Sequence, residues 1–484
     1  EIASCLVGSE MCIRDSFLAI ASFFIYSHIS LGQVYPGQMD STFVPVRSHH
    51  YDPELTFDFC VNEPAWSNQA GIHSAFGSTD RLYFRKEVPV NHDNDLSSSY
   101  STTVWRGERA NAQILVWSSE ALEQVRVSTQ DLRSAEGNII PKDRITFELV
   151  RYVLSNYPYA EKKAICGESP YKSGFLMPDR FETLDRFDLP SQTTRPVWMM
   201  VDVPRGTVPG TYKGQVEVRA KGKAPQLLNL EIVVQNQLLP YPKDWKYRLD
   251  LWQNPWAVAW YNHVEPWSPE HKMLLKQHLK HYADAGGTYI TTYGVHSPWS
   301  DNSYMIEGGM IEWIKKADGT WAFDYKIFDE YVELAMECGI DEAITLYTPI
   351  PWGFRHRYKD EATGDYSYIN WAPSSEEFKK MWNIFLTDFK FHLEAKSWLD
   401  ITYIGINENP MEETLAAINV VRNHDKCWKI TYAGNWHKEL DGLLDDYSFL
   451  YGEEPTIAEQ KARAATGRTS TVYVLSLIHI SEPT

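Results

Sequence analysis

The hydrophobic period changes near residue 240, and few folds accommodate both halves. From about Gln33 to Pro240, apolar and polar residues alternate. Leu228, Leu230, Ile232 and Val234 share one side, with Asn229, Glu231 and Gln235 between them. Tyr212, Val216, Val218 and Ala220 do the same after the turn Pro209-Gly210, and AQILVWS, ITFELVRYVLS and RPVWMMVDVP are further runs bounded by turn residues. Short alternating stretches without a long helical pattern predict an antiparallel β-sandwich over residues 33–240. PYPKDW, Pro240–Trp245, is the expected hinge.

After the hinge, strand-like and helix-like stretches take turns. YRLDLWQ precedes a helix opened by Ser268-Pro269-Glu270 that carries Leu275, Leu279 and Tyr282. YITTY, a hairpin-like insertion and a helix with Phe328, Tyr331, Val332, Ala335 and Met336 come next. EAITLY leads to a helix whose Ser374 and Glu377 suit a capping box, with Phe378, Met381, Trp382, Phe385 and Phe389 as its apolar stripe. ITYIGI, KITYA, YSFLY and TVYV complete seven expected strands. Repeated βα units imply a parallel sheet, and this many predict a (β/α)8 TIM barrel over residues 245–474, incomplete because no eighth strand follows. A doubly wound open sheet is the alternative, but no Gly-rich phosphate turn follows any strand.

Both ends read as foreign. LVGSEMCIRDS and LSLIHISEPT resemble the two strands of one transposon-type sequencing adapter translated in frame, so residues 1–16 and 475–484 are set aside as a fragment's scars. Residues 17–32, FLAIASFFIYSHISLG, have the apolar length of a secretory signal remnant and are short for a membrane span, which predicts a periplasmic or extracellular protein. No later segment is apolar enough for membrane insertion. The net charge of −18 argues against nucleic acid and anionic membranes as partners. Cys60, Cys166, Cys338 and Cys427 are too scattered for a zinc motif or a dense disulfide framework; a Cys60–Cys166 bridge is the one pairing considered.

Within ITYIGINENPMEE, Ile401–Glu413, most of the polar tail has a structural reading. Asn409 suits an N-cap, Pro410 a first helical turn, and Glu412 and Glu413 the positive helix end. Asn407 and Glu408 are left over at the C-terminal end of the fourth strand, where barrels carry catalytic residues. A Glu in a partly apolar setting there suits a glycosidase general acid. Trp252, Tyr293, Tyr347, Trp352 and Trp436 also fall at or after strand ends, as do Trp256 and Trp299. Their flat faces suit sugar rings, although aromatics at such places also fill cores. Arg355 follows the third strand and suits a sugar hydroxyl or carboxylate; otherwise Arg355-His356-Arg357 and His49-His50 read as surface or loop residues. G-x-S-x-G, H-E-x-x-H, P-loop and C-x-x-C motifs are absent, so no cofactor is expected.

RPVWMMVDVPRGTVPGTYKGQVEV followed by LLP resembles the N-terminal sandwich of family 123 glycoside hydrolases and their uncharacterised relatives. DGTWAFDYKIFDEYVELAMECGI, YTPIPWGF and ATGRTSTVYV resemble that family's barrel, so the resemblance covers roughly residues 100–474. It implies a secreted enzyme that cleaves β-linked N-acetylgalactosamine from glycans by substrate-assisted catalysis. An adjacent Asp-Glu pair ends strand four in the family, Glu protonating the leaving oxygen and Asp orienting the acetamido group. Here Asn407 stands where the family has Asp. Endo-acting N-acetylglucosaminidases with an Asn-Glu pair resemble this arrangement. So do retaining barrel glycosidases in which Asn holds the 2-hydroxyl and a second Glu, about 5–5.5 Å away at the end of strand seven, is the nucleophile. An inactive glycan-binding relative is the third alternative. A barrel without its last strand exposes two edges, which predicts that the chain as given is inactive.

Overall fold

The computed structural model describes residues 63–91, 96–155, 175–299 and 308–473. The adapter-like ends, the apolar run at 17–32, His49-His50 and the Cys60–Cys166 pair lie outside the described residues. Two compact units meet at Pro240–Tyr241.

The first unit contains two sheets. His73–Gly77 (β1), Ser99–Arg106 (β2), Arg109–Ser118 (β3), Leu122–Thr129 (β4), Ile145–Ser155 (β5), Phe175–Glu182 (β6), Phe187–Leu189 (β7), Thr193–Asp202 (β8), Gly210–Arg219 (β9) and Gln226–Leu238 (β10) are its principal strands. One sheet has the order β1-β3-β8-β5-β6 and the other β2-β10-β9-β4-β7. Neighbours are antiparallel apart from β2 and β10, which run parallel. Alternation supplies the core: Val216, Val218, Leu228, Leu230, Ile232 and Val234 from one sheet pack with Ile114, Val116, Val197 and Met199 from the other. In β3 the alternation disappears and the run is buried throughout its centre. Its second face, Leu115 and Trp117, packs under Trp66, Tyr83 and Val88. A strand covered on both faces reads as continuously apolar.

In the second unit, Tyr289–Tyr293 (β11), Ala343–Tyr347 (β14), Thr402–Ile406 (β17), Lys429–Gly434 (β18), Asp446–Leu450 (β19) and Thr469–Tyr473 (β20) form one sheet in that order, every pairing parallel. The sheet is a parallel half-barrel. Helices Pro255–Asn262 (α1), Pro269–Asp284 (α2), Lys326–Glu337 (α3), Glu376–Lys396 (α4), Met411–His424 (α5) and Ile457–Ala465 (α6) punctuate the chain. The stripes read from the sequence in α2, α3 and α4 are buried in one core, except Met336, which is partly buried. Among the described residues no helix is long and apolar enough to cross a membrane.

Three local expectations are corrected. YRLDLWQ is not a strand; Leu249 makes a single parallel bridge to Gly287. The Tyr282 hydroxyl intervenes: it donates towards the carbonyls of Leu249 (2.8 Å) and Tyr289 (2.9 Å) and accepts from the Leu251 N–H (3.3 Å), groups a ladder would use. The cap of α4 is Ser375, not Ser374, because Ser375 Oγ accepts from Phe378 N at 3.1 Å. Asn409 does not cap α5: its amide donates to the Ile350 carbonyl (3.2 Å), and Pro410 occupies the N-cap position.

A four-stranded sheet projects between the barrel elements. Glu312–Lys315 (β12), Trp321–Asp324 (β13), Arg355–Asp360 (β15) and Tyr366–Asn370 (β16) lie in the order β13-β12-β15-β16. The expected hairpin is its first half. Arg355-His356-Arg357 is therefore strand rather than loop, and His356 is a core residue at 2% exposure. Its Nδ1–H donates to the Phe354 carbonyl (3.1 Å), and its Nε2 accepts from the Trp382 indole (3.3 Å). Burial pushes the imidazole down to about 4, so it is neutral at ordinary pH.

Strand β20 is held by one buried guanidinium. Arg463 of α6, 1% exposed, pairs with Asp441 at 2.6 Å and donates to Ser470 Oγ (3.2 Å) and the Thr469 carbonyl (3.1 Å). Asp441 is a third exposed and can be rehydrated, but Arg463→Ala takes the donor from the Leu444 and Thr469 carbonyls and leaves a gap, so it should cost about 2–4 kcal/mol. Arg463→Lys should recover little of it, since an ammonium cannot reproduce the fork. Urea unfolding checks this, and a loss below about 1 kcal/mol for either variant rules out the anchoring role.

Candidate active site

Parallel strands bring their C-terminal ends to one rim, and Asn407 and Glu408 follow β17 directly. Asn407 is 2% exposed. Its backbone N–H donates to Thr348 Oγ1 (3.3 Å), beside the end of β14, and its Nδ2 donates to the Pro298 carbonyl (3.2 Å), in the loop after β11. A carbonyl can only accept, so that contact assigns the amide orientation and leaves Oδ1 pointing elsewhere. Oδ1 is buried and has no hydrogen-bond partner. An unpaired buried acceptor is costly and marks a place where a ligand donor fits.

Glu408 is half-buried, and Oε1 accepts from the Tyr473 hydroxyl at 2.8 Å. Burial raises its pKa, while the Tyr473 hydrogen bond favours the charged form and opposes the rise. The same carboxylate, together with burial, holds the Tyr473 and Tyr432 phenols protonated. A carboxyl whose pKa is raised by burial, at a strand end and beside two phenols, suits a proton donor.

An aromatic floor adjoins the pair. Tyr347 ends β14 and is buried; Trp252 meets its ring edge-on (4.8 Å) and stacks on Trp299 (5.5 Å). Gly405 faces Tyr347 across the ladder, and a Cβ there would lie 3.0 Å from three ring carbons, so glycine lets the ring lie against β17. Trp252 is 47% exposed and offers an open face. Asp250 beside it accepts from the Trp252 side chain. Enclosure and the nearby Asp446 carboxylate raise the Asp250 pKa, an effect tempered by the water that still reaches this residue.

The other expected residues are distributed unevenly. Tyr293 is buried, with its hydroxyl on the Gln253 carbonyl (3.0 Å), and serves as floor beneath Trp299 rather than open surface. Trp352 is half-buried, and its N–H shares the Pro298 carbonyl (3.0 Å). Trp436 follows β18 and packs on Tyr447 and Phe449. Arg355 lies on the projecting sheet with its guanidinium over Tyr368 (3.8 Å). Sequence reasoning missed Tyr473, although the strand-end rule applied to TSTVY points to it. It also missed Pro298 and Thr348, which act through a carbonyl and a hydroxyl without any sequence signature. Among the described residues no cluster of three His, Cys, Asp or Glu could hold a metal ion.

With this geometry in place, comparison with known proteins is informative. The glycoside hydrolase 123 catalytic-domain model matches residues 252–479, and the glycoside hydrolase 123 N-terminal-domain model matches residues 76–220. A solved family 123 glycoside hydrolase from Clostridium perfringens, described for glycolipid glycan hydrolysis, is 26% identical. The match covers 84% of this chain and 72% of that chain, with a TM-score of 0.76. A family 39 glycoside hydrolase from Bacteroides cellulosilyticus (12% identity, 68% of this chain, 56% of that chain) reaches a TM-score of only 0.25. A family 5 xyloglucanase from Bacteroides ovatus (9% identity, 74% of this chain, 72% of that chain) reaches 0.18, and neither bears on the argument. No curated protein matches the sequence.

The Tyr473–Glu408 contact yields a pH test. Tyr473→Phe removes the donor that favours ionised Glu408, so the carboxyl should hold its proton to higher pH. The alkaline limb of the kcat/KM profile, which reports an essential acid of the free enzyme, should move up. An unmoved limb, or one displaced downwards, would separate Tyr473 from that acid.

Proposed function

The chain belongs to glycoside hydrolase family 123, and from that membership we propose that it cleaves β-linked N-acetylhexosaminides, N-acetylgalactosamine above all, by substrate-assisted retaining catalysis. Glycolipid glycans, named for the Clostridium perfringens relative, are the natural first substrates to try. The half-barrel is read here as part of a (β/α)8 barrel, since its strands run in chain order and the candidate residues share their C-terminal rim.

One observation supports the mechanism most: the unpartnered Oδ1 of Asn407 beside a carboxyl raised by burial. An acetamido N–H is a donor and suits an empty acceptor. Fixed by Oδ1, the acetamide turns its carbonyl oxygen towards C1. Glu408 gives its proton to the glycosidic oxygen as the C1–O bond breaks. The acetamido oxygen forms the new bond to C1, giving an oxazolinium ion. Water then adds at C1, losing a proton to the Glu408 carboxylate, and the ring reopens with configuration retained. Asn407 meets the developing positive charge with a dipole instead of the full charge that Asp provides in the family.

In a full-length protein, Glu408→Gln should lower turnover of substrates with poor leaving groups by about 10²–10⁴-fold, and that of activated aryl glycosides far less. Equal small losses on both would remove Glu408 from the acid role. Asn407 separates this mechanism from a two-carboxylate one. A thiazoline that mimics the intermediate should inhibit strongly, a 2-hydroxyl analogue should hardly react, and Asn407→Asp should keep or raise activity. Good turnover of the 2-hydroxyl substrate without thiazoline inhibition would overturn the proposal.

A further inference from the structure

The projecting sheet presents cations that the proposed chemistry does not use. Alternation along β15 places His356 and Tyr358 on the packed side and Arg355, Arg357 and Lys359 on the other. The facing strand supplies Tyr366 and Tyr368, about half exposed, in register with Lys359 and Arg357. Each guanidinium lies over the diagonal ring: Arg355 over Tyr368 at 3.8 Å and Arg357 over Tyr366 at 4.3 Å. Stacking uses the guanidinium face and leaves its in-plane N–H groups free.

Those groups stay uncommitted. Among the described residues, Arg355, Arg357 and Lys359 make no ion pair or hydrogen bond through their side chains, and Arg357 Nε is enclosed without a partner. Lys272, Lys276, Lys390, Lys396, Arg422 and Arg463 of the same unit are, by contrast, paired with carboxylates. Glu312, the nearest acid to Tyr366, is engaged by that phenol at 2.9 Å. In a chain of net charge −18, three unpaired cations on one strand face form a local positive strip.

The strip adjoins the candidate active site. Arg355 follows the turn Trp352–Phe354 directly, and the Trp352 N–H donates to the Pro298 carbonyl (3.0 Å) that also receives Asn407. Burial, and then the charges of Arg357 and Arg355, hold His296 in the loop after β11 down towards about 4.

We propose that this face binds an anionic sugar unit, bearing a carboxylate or sulfate, in the glycan whose scissile bond lies at Glu408. The stacked guanidiniums offer planar forks to an oxyanion, Lys359 adds a point charge, and the Tyr rims offer apolar surface to the sugar ring. The proposal rests on the reading of Asn407 and Glu408 as the reaction centre.

Calorimetric titration of the Glu408→Gln protein with four chondroitin hexasaccharides tests it: sulfated, unsulfated, carboxyl-reduced sulfated, and carboxyl-reduced unsulfated. The anionic forms should bind at least about tenfold tighter than the neutral one, with affinity falling as salt rises. Comparing the carboxylate-only and sulfate-only forms identifies the oxyanion. Arg355→Gln/Arg357→Gln should erase most of the difference and leave neutral binding unchanged, and the exposed Lys359→Gln should weaken anionic binding if the double variant does not fold. Equal binding of anionic and neutral forms, no effect of these substitutions, or equal displacement by inorganic phosphate would overturn the proposal. Anionic preference with turnover insensitive to Glu408→Gln would instead keep the strip and discard the reaction centre.

Discussion

A single buried carboxamide ties the rim of the second unit together. Asn407 receives nothing from solvent. It spends its N–H on Thr348 and its Nδ2 on Pro298, and so locks the ends of three neighbouring strands, β11, β14 and β17, into one arrangement. Pro298 accepts from Trp352 as well, and Asn409 reaches back to Ile350, so the three loops after β11, β14 and β17 are tied together. The carboxyl of Glu408 inherits its position from that knot. Because the knot does not use the side-chain oxygen of Asn407, Oδ1 is left free, and the chemistry assigned to this residue follows from the leftover.

The electrostatics of Glu408 reach further than its own neighbours. Burial makes the carboxyl reluctant to ionise, and the Tyr473 hydroxyl moderates that reluctance. Tyr473 ends β20, and β20 is pinned by the Arg463 guanidinium through Ser470 and Thr469. A helix residue with no contact to Glu408 thus helps hold the strand whose last phenol does touch it. Positioning of this kind is carried by chains of short, well-oriented contacts rather than by long-range fields.

Much of this was legible in the amino-acid order. Period-two alternation identified the sandwich strands, and the stripes in α2, α3 and α4 identified the packed faces, because burial imposes those periods directly. The strand-end position of Asn407 and Glu408 followed from the same logic. What escaped was tertiary. Nothing in YRLDLWQ reveals that the Tyr282 hydroxyl would occupy its ladder groups. The charges of RHRYKD masked a strand, since its inward positions carry His356 and Tyr358 rather than aliphatic residues. Nothing in the order of residues around Arg463 marks it as enclosed, yet it is 1% exposed. Caps slipped by one residue: Ser374 and Ser375 are equivalent acceptors side by side, and Asn409 turns its amide to Ile350, leaving Pro410 at the N-cap position.

The projecting sheet divides its labour by face. His356, Trp313 and Trp371 root it in the core, whereas the residues that look outward on β15 and β16 contribute little to that packing. Substitutions on the outer face therefore leave the root intact, and substitutions in the root do not alter the outer chemistry. Outward residues of β15 and β16 can thus be exchanged without removing the packing that holds the sheet. Relatives should accordingly diverge fastest along alternate positions of these two strands, and new glycan preferences should arise there without loss of the folded enzyme.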